Sequence, residues 1–243
     1  MGQRGFLRHI ELLRTQVEHW NEHPFSIPAI ANLDSVEFSP SLTVFVGESG
    51  SGKSTLINAI ANKAGFDSNG GSHVLTVAPP PGTAGLADVV HLERGPRREK
   101  AGFFLRAETR PAASVEHGAT NETGALRHAS HGEAFIGVAL HQFRANGLYI
   151  LDEPEAALSP QRQLALMGRM HQLIQAGSQF IIATHSPILM AFPGARVLSF
   201  DKGGIEEIRY ADSDQFRTAR AFLQNPAATL KQIFEQADED QAD

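Results

Sequence analysis

The chain has 243 residues, 42% hydrophobic and 20% charged, which suits one large globular domain and leaves room for a sizeable core. The formal charge of −6, from 21 basic and 27 acidic residues, gives no basic excess that would advertise nucleic acid. The absence of cysteine excludes disulfides, thiolate zinc sites and cysteine nucleophiles. No apolar run reaches the roughly 18 residues that a membrane helix needs, and the start "MGQRGFLRHIELLRTQ" has no apolar core of a secretory signal. A cytoplasmic protein without membrane insertion is expected.

In chain order, Phe6, Ile10, Leu13, Val17 and Trp20 fall near helical spacing, so an amphipathic helix is expected over residues 6–20. "SLTVFVG" reads as a buried strand and "KSTLINAIANKAG" as a helix ending at Gly65. From about residue 66 to about 145 the texture breaks up, with "DSNGGSH", "APPPGTAG" and "RGPRREK" interrupting each pattern, and an inserted irregular and helical lobe is expected. A helix over 133–144, a strand "GLYILDE", a helix over 160–176 and a strand "QFIIATHS" then alternate, which predicts a mostly parallel sheet flanked by helices. A hairpin turning at Gly203-Gly204 and two short helices, over about 195–236, complete a single domain spanning 1–243.

The densest chemical signal is "GESGSGKST", Gly47 to Thr55, which matches G-x-x-x-x-G-K-[ST] with a strand before it and a helix after it. Gly47, Gly50 and Gly52 let the loop bend so that backbone N–H groups along Glu48, Ser49, Ser51 and onward point at phosphate oxygens, and the helix adds its positive end. Lys53 is expected to bridge the β and γ phosphates of ATP, with Ser54 offering its hydroxyl to Mg²⁺ and Thr55 following in the first turn. Neither Ser49 nor Ser51 has glycine at both minus two and plus two, so a hydrolase nucleophile elbow is excluded.

"LYILDEP" delivers Asp152 and Glu153 at the C-terminal end of a buried strand, where open α/β sheets bind ligands. Asp152 is expected to hold Mg²⁺ through water and Glu153 to polarise the attacking water. Thr184-His185 ends the next apolar strand, and His185 there can hydrogen-bond the γ-phosphate and place the water. A third stretch, "LRHASHGEAF", carries His128, Ser130, His131 and Glu133. Spacing alone leaves open a metal site, a Ser/His/Glu set, or a role for the intervening Gly132.

Taken in order, "GESGSGKST", "ASHGE", "LYILDEPEAALS" and "ATHS" resemble the ATP-binding cassette (ABC) ATPases over about Val44 to Ser186. The His-Gly-Glu variant, the compact size and "GFFLRAE" are similar to small standalone bacterial ATPases of the Rad50/RecF-like kind rather than to transporter subunits. The resemblance implies a P-loop NTPase fold of α/β class with an ABC-type core. It also implies an ATP-dependent homodimer in which a signature loop completes the partner's ATP site. Ser130 then takes the signature serine place and Gly132 the second glycine, at a helix N-terminus suited to a γ-phosphate. A metal site from His128, His131 and Glu133 would lack helical support, and members of a catalytic triad approach from separate segments.

Two departures stand out against the family pattern. No glutamine occurs from Thr55 through His141, and Glu108, after "GFFLRA", is the expected substitute at the metal's hydration shell. Ser159 stands where the family loop usually ends in aspartate. Phe25 is the expected adenine-stacking aromatic upstream of the P-loop. The expected function is an ATP-hydrolysing switch, dimerising around ATP and Mg²⁺ and acting on an unknown protein client. The alternatives are an ATPase of a DNA repair or defence complex, drawn from the basic run "ERGPRREK", and a transporter subunit, against which the missing glutamine argues.

Overall fold

The computed structural model describes residues 5–66, 71–72, 85–106, 131–201 and 203–240. Two sheets organise these residues. Strands β1 (Leu7–Leu12), β2 (Ser35–Glu37) and β5 (Val90–Arg94) form a small antiparallel sheet in the order β2-β1-β5. The larger sheet has seven strands, β3 (Leu42–Gly47), β4 (Gly71–Ser72), β6 (Ala101–Arg106), β7 (Gly147–Asp152), β8 (Gln179–Ala183), β9 (Arg196–Phe200) and β10 (Ile205–Ile208), in the order β10-β9-β3-β8-β7-β6-β4.

The five inner strands run parallel, and only the edge strands β10 and β4 are antiparallel to their neighbours. That is the α/β class expected from the alternation of elements. Every residue of β3, β7 and β8 is buried, because helices cover both faces, so these strands carry continuous apolar runs instead of alternation. The short α1 (Pro28–Ala31) precedes β2, and α2 (Lys53–Ala64) follows the P-loop. On the opposite face lie α3 (His131–His141) and α4 (Pro160–Gln175). The chain then continues through β9 and β10 into α5 (Asp214–Gln224) and α6 (Pro226–Asp240).

Two hydrophobic clusters flank the large sheet. One joins α2 to the small sheet through Leu7, Ile10, Leu56, Ile60 and Val90, and the other packs Phe135, Val138, Leu166 and Met170 of α3 and α4 against Phe103, Tyr149 and Phe180. Buried Gln179 couples the sheets at the start of β8. Its Oε1 accepts from Phe6 N at 2.8 Å and Leu7 N at 2.9 Å, while its Nε2 donates to Leu7 O at 2.9 Å and Ser39 O at 2.8 Å. One amide side chain thus satisfies four backbone groups that the sheets leave over.

Two expectations are corrected here. The helix expected over residues 6–20 is strand β1 followed by a 3-10 turn, Arg14–Gln16. A register shift between Leu7 and His9 breaks the alternation, so buried Leu7, Ile10 and Leu12 stand three and then two apart. The span 66–145, expected to be an irregular lobe, also contributes β5 to the small sheet and β6 to the large one. Among the described residues no helix is long and apolar enough to cross a membrane.

Candidate functional site

Parallel register brings the C-terminal ends of β3, β6, β7 and β8 to one rim of the sheet. Phe45 and Asp152 both pair with Ala183, and Arg106 pairs with Asp152. Beyond β3 the loop from Glu48 to Gly52 turns into α2 through three glycines of positive φ, Gly47 (142°), Gly50 (79°) and Gly52 (103°). A side chain is excluded at Gly47, where a Cβ would stand 2.4 Å from the carbonyl oxygen of Phe200. Gly52 occupies the N-cap of α2 with no side-chain cap, so the first-turn N–H groups are left to an outside acceptor.

Lys53, 3% exposed, folds back over the loop. Its Nζ donates to Gly47 O at 2.9 Å, to Glu48 O at 2.7 Å and to Ser51 Oγ at 3.4 Å. Burial holds its pKa below the ordinary lysine value, opposed by the carboxylates of Glu153, Asp152, Glu48 and Glu155. The ammonium is therefore a desolvated cation in a carboxylate-rich site, held by neutral carbonyls that a phosphate can replace.

Across the loop, Ser54 Oγ donates to Asp152 Oδ1 at 2.9 Å. These two oxygen groups, expected from the sequence as metal ligands, converge from α2 and from the end of β7. Hard oxygen donors beside an anion-binding helix end suit Mg²⁺. Glu153 has the left-handed conformation (φ 50°, ψ 50°), rare for a residue with a side chain, while its N–H donates to Ala183 O at 2.9 Å. His185 Nε2 lies 3.5 Å from Glu153 Oε1. The two expected catalytic residues thus come together from adjacent strands.

The sequence reading missed two contributors. Glu155 Oε1 accepts from the His185 N–H at 2.5 Å, fixing the backbone that carries the imidazole. Arg106, at the end of β6, has its Nε 4.0 Å from Asp152 Oδ2. Arg106 ends "GFFLR" two residues before Glu108, and only the pairing of β6 with β7 sets it opposite Asp152. Ser159, where aspartate is usual, caps α4: its Oγ accepts from Arg162 N, with Pro160 in the first turn. Gln163 of α4 in turn accepts from Ser186 Oγ at 2.5 Å, tying this helix to the segment after His185.

Phe25 is corrected. It is buried in the core cluster and meets Trp20 edge to face at 6.3 Å, a packing role instead of a stacking platform for a base. Gly132 lies in the first turn of α3, whereas Ser130 and Glu108 lie outside the described residues. A cavity of about 520 Å³ adjoins Gly47 to Ser51 on the side facing Ser199–Asp201 and Asp212–Gln215. The basic run is engaged in the fold. Arg94 pairs with Glu99 at 2.8 Å and donates to Ala64 O, and Arg97 donates to Asn146 Oδ1 and lies over the Phe6 ring. Among the described residues no cluster of three or more His, Cys, Asp or Glu could hold a metal alone.

Comparison with known families gives two matches. Residues 24–65 match an AAA domain, and residues 125–191 match the family described as "AAA domain, putative AbiEii toxin, Type IV TA system". Nothing among the curated proteins matches the chain. Two solved structures are similar at low identity. The SMC head domain from Thermotoga maritima has a TM-score of 0.47 and 15% identity over 84% of this chain and 99% of its own. The structure described as "an inward-facing conformation of a putative metal-chelate type ABC transporter" has a TM-score of 0.46 and 15% identity over 77% of this chain and 80% of its own. The P-loop falls in the first family match, while Asp152, Glu153 and His185 fall in the second. Both halves of the candidate nucleotide site thus lie inside segments similar to AAA domains.

Proposed function

We propose that the protein hydrolyses ATP to ADP and phosphate, dimerises around ATP and so acts as a switch for a protein client in the cytoplasm. The observation that carries this reading is the convergence at one sheet rim of Lys53, the Ser54–Asp152 hydrogen bond and the Glu153–His185 pair. The loop Gly47 to Ser51 and the open N-terminus of α2 bind the phosphates, and Lys53 exchanges its carbonyl partners for β and γ oxygens. Ser54 and Asp152 would hold Mg²⁺, which supplies charge neutralisation of the phosphates when bound. The Glu153 carboxylate takes a proton from water as the water oxygen attacks the γ phosphorus. The bond from that phosphorus to the bridging oxygen breaks, and ADP leaves with the electron pair. His185, whose backbone N–H is anchored on Glu155, orients the phosphate and the water beside Glu153.

Charge at the rim supports this assignment. Glu153, Asp152, Glu48 and Glu155 favour the charged form of Lys53 against its burial, and a cation held by Ser54 and Asp152 would offset the charge of the phosphates. Ser130, which precedes His131 in the sequence, and Gly132, in the first turn of α3, belong to the same reading as the contacts to a partner's γ-phosphate. The test is Glu153→Gln, which keeps the side chain's size and removes the base. Nucleotide affinity stays within about twofold while phosphate release falls at least about 100-fold. Wild-type protein that releases no phosphate from ATP above background would refute the assignment.

A further inference from the structure

Asp152 divides its two oxygens between different partners. Oδ1 accepts the Ser54 hydroxyl at 2.9 Å, and Oδ2 faces Arg106 Nε at 4.0 Å. Arg106 reaches this position because β6 and β7 pair in parallel with Arg106 directly opposite Asp152, so the last residue of one strand flanks the last residue of the other. Their side chains are 29% and 7% exposed, which leaves the carboxylate largely out of water and the guanidinium partly in it. Among the described residues of the rim, Lys53 also carries a positive charge and donates to Gly47 O, Glu48 O and Ser51 Oγ.

On this basis, and resting on the nucleotide-site reading above, we infer that Arg106 is a metal-sensing positioning residue, whose guanidinium competes with Mg²⁺ for the Asp152 carboxylate. The physical argument is one of shared charge. A divalent cation drawn to Ser54 and Asp152 meets a carboxylate that is already partly neutralised, so Arg106 weakens metal binding. Arg106 ends β6 on the same rim of the sheet as the phosphate loop that follows β3, so its charge adds to the positive field that draws in nucleotide when no metal is present. Arg106 therefore brings the metal-free and metal-loaded nucleotide states closer in free energy, and makes metal arrival a separate, reversible step.

The two effects have opposite signs, which separates this role from a structural one. In Arg106→Gln, Mn²⁺ affinity of the protein saturated with a non-hydrolysable ATP analogue, read by electron paramagnetic resonance, rises about fivefold. Affinity for a fluorescent ATP analogue in EDTA falls about fivefold. Both magnitudes follow from a partly exposed ion pair. Arg106→Lys, which keeps the charge, stays within about twofold of wild type in both. Mn²⁺ affinity that is unchanged or weaker in Arg106→Gln overturns the inference while leaving the nucleotide site intact. Wild-type protein that binds no nucleotide overturns the underlying reading and the inference with it.

Discussion

Replacing Lys53 with methionine separates the two jobs that a buried ammonium performs. In the structure its Nζ makes three hydrogen bonds, at 2.9, 2.7 and 3.4 Å, two of them to loop carbonyls. Charged hydrogen bonds contribute roughly 1.5–3 kcal/mol each, but removing an ammonium from water costs several kcal/mol, and burial lowers the lysine pKa against the pull of the nearby carboxylates. The two nearly cancel, so Lys53→Met changes stability without nucleotide by no more than about 2 kcal/mol, or roughly 4–8 °C in Tm for a chain of this size. Nucleotide binding behaves differently, because the lost contacts are charge-assisted bonds to phosphate worth about 3 kcal/mol, a weakening of roughly 100-fold in Kd. Calorimetric melting and titration with a fluorescent ATP analogue read the two quantities. Lysine's depressed pKa adds a sign: the unfolded chain holds a proton that the folded one has lost, so wild-type stability rises with pH in the window below 10.5, and Lys53→Met lacks that rise. A melt lowered by more than 15 °C, or an affinity lowered less than fivefold, would refute the reasoning, since Lys53 would then be a structural tie.

Other outcomes follow from single contacts. Gln179→Leu strands four backbone groups between the sheets and lowers stability by at least about 3 kcal/mol in denaturant titration. Glu155→Ala frees the His185 backbone and lowers ATP turnover about tenfold with nucleotide affinity within about twofold, as read by phosphate release and equilibrium binding. Tyr149, whose hydroxyl lies between Arg144 N and Arg144 O, has its pKa raised above 10.0 by burial. The unfolded phenol loses its proton first, so wild-type stability falls as pH rises above 10, and Tyr149→Phe removes that part of the fall in melts recorded against pH.

The site was legible because its chemistry is contiguous. One nine-residue run carries the whole phosphate loop, and Asp152, Glu153 and His185 each end an apolar run that could only be a covered parallel strand. The C-terminal hairpin was legible too, because Gly203-Gly204 interrupts two short apolar runs; Gly204 has φ 138° there. What stayed hidden depended on long-range pairing. The register shift in β1 put Leu7 and Ile10 at a helical interval, and only pairing with β2 and β5 makes that segment a strand. Likewise, nothing in "GFFLRAE" says that β6 will lie beside β7, so Arg106 became visible only when strand pairing set it opposite Asp152. Phe25 misled for the opposite reason: an aromatic upstream of a P-loop has the same local sequence whether it faces a base or the core, and here it is buried.

In the proposed cycle, ATP closes two copies of this chain around their phosphate sites and Glu153 ends the closed state by hydrolysis. Sedimentation velocity of the Glu153→Gln protein with ATP and Mg²⁺ tests it most directly. A species of twice the chain mass is expected to form with ATP and to revert to monomer with ADP. A protein that stays monomeric in saturating ATP, with nucleotide bound, would contradict it.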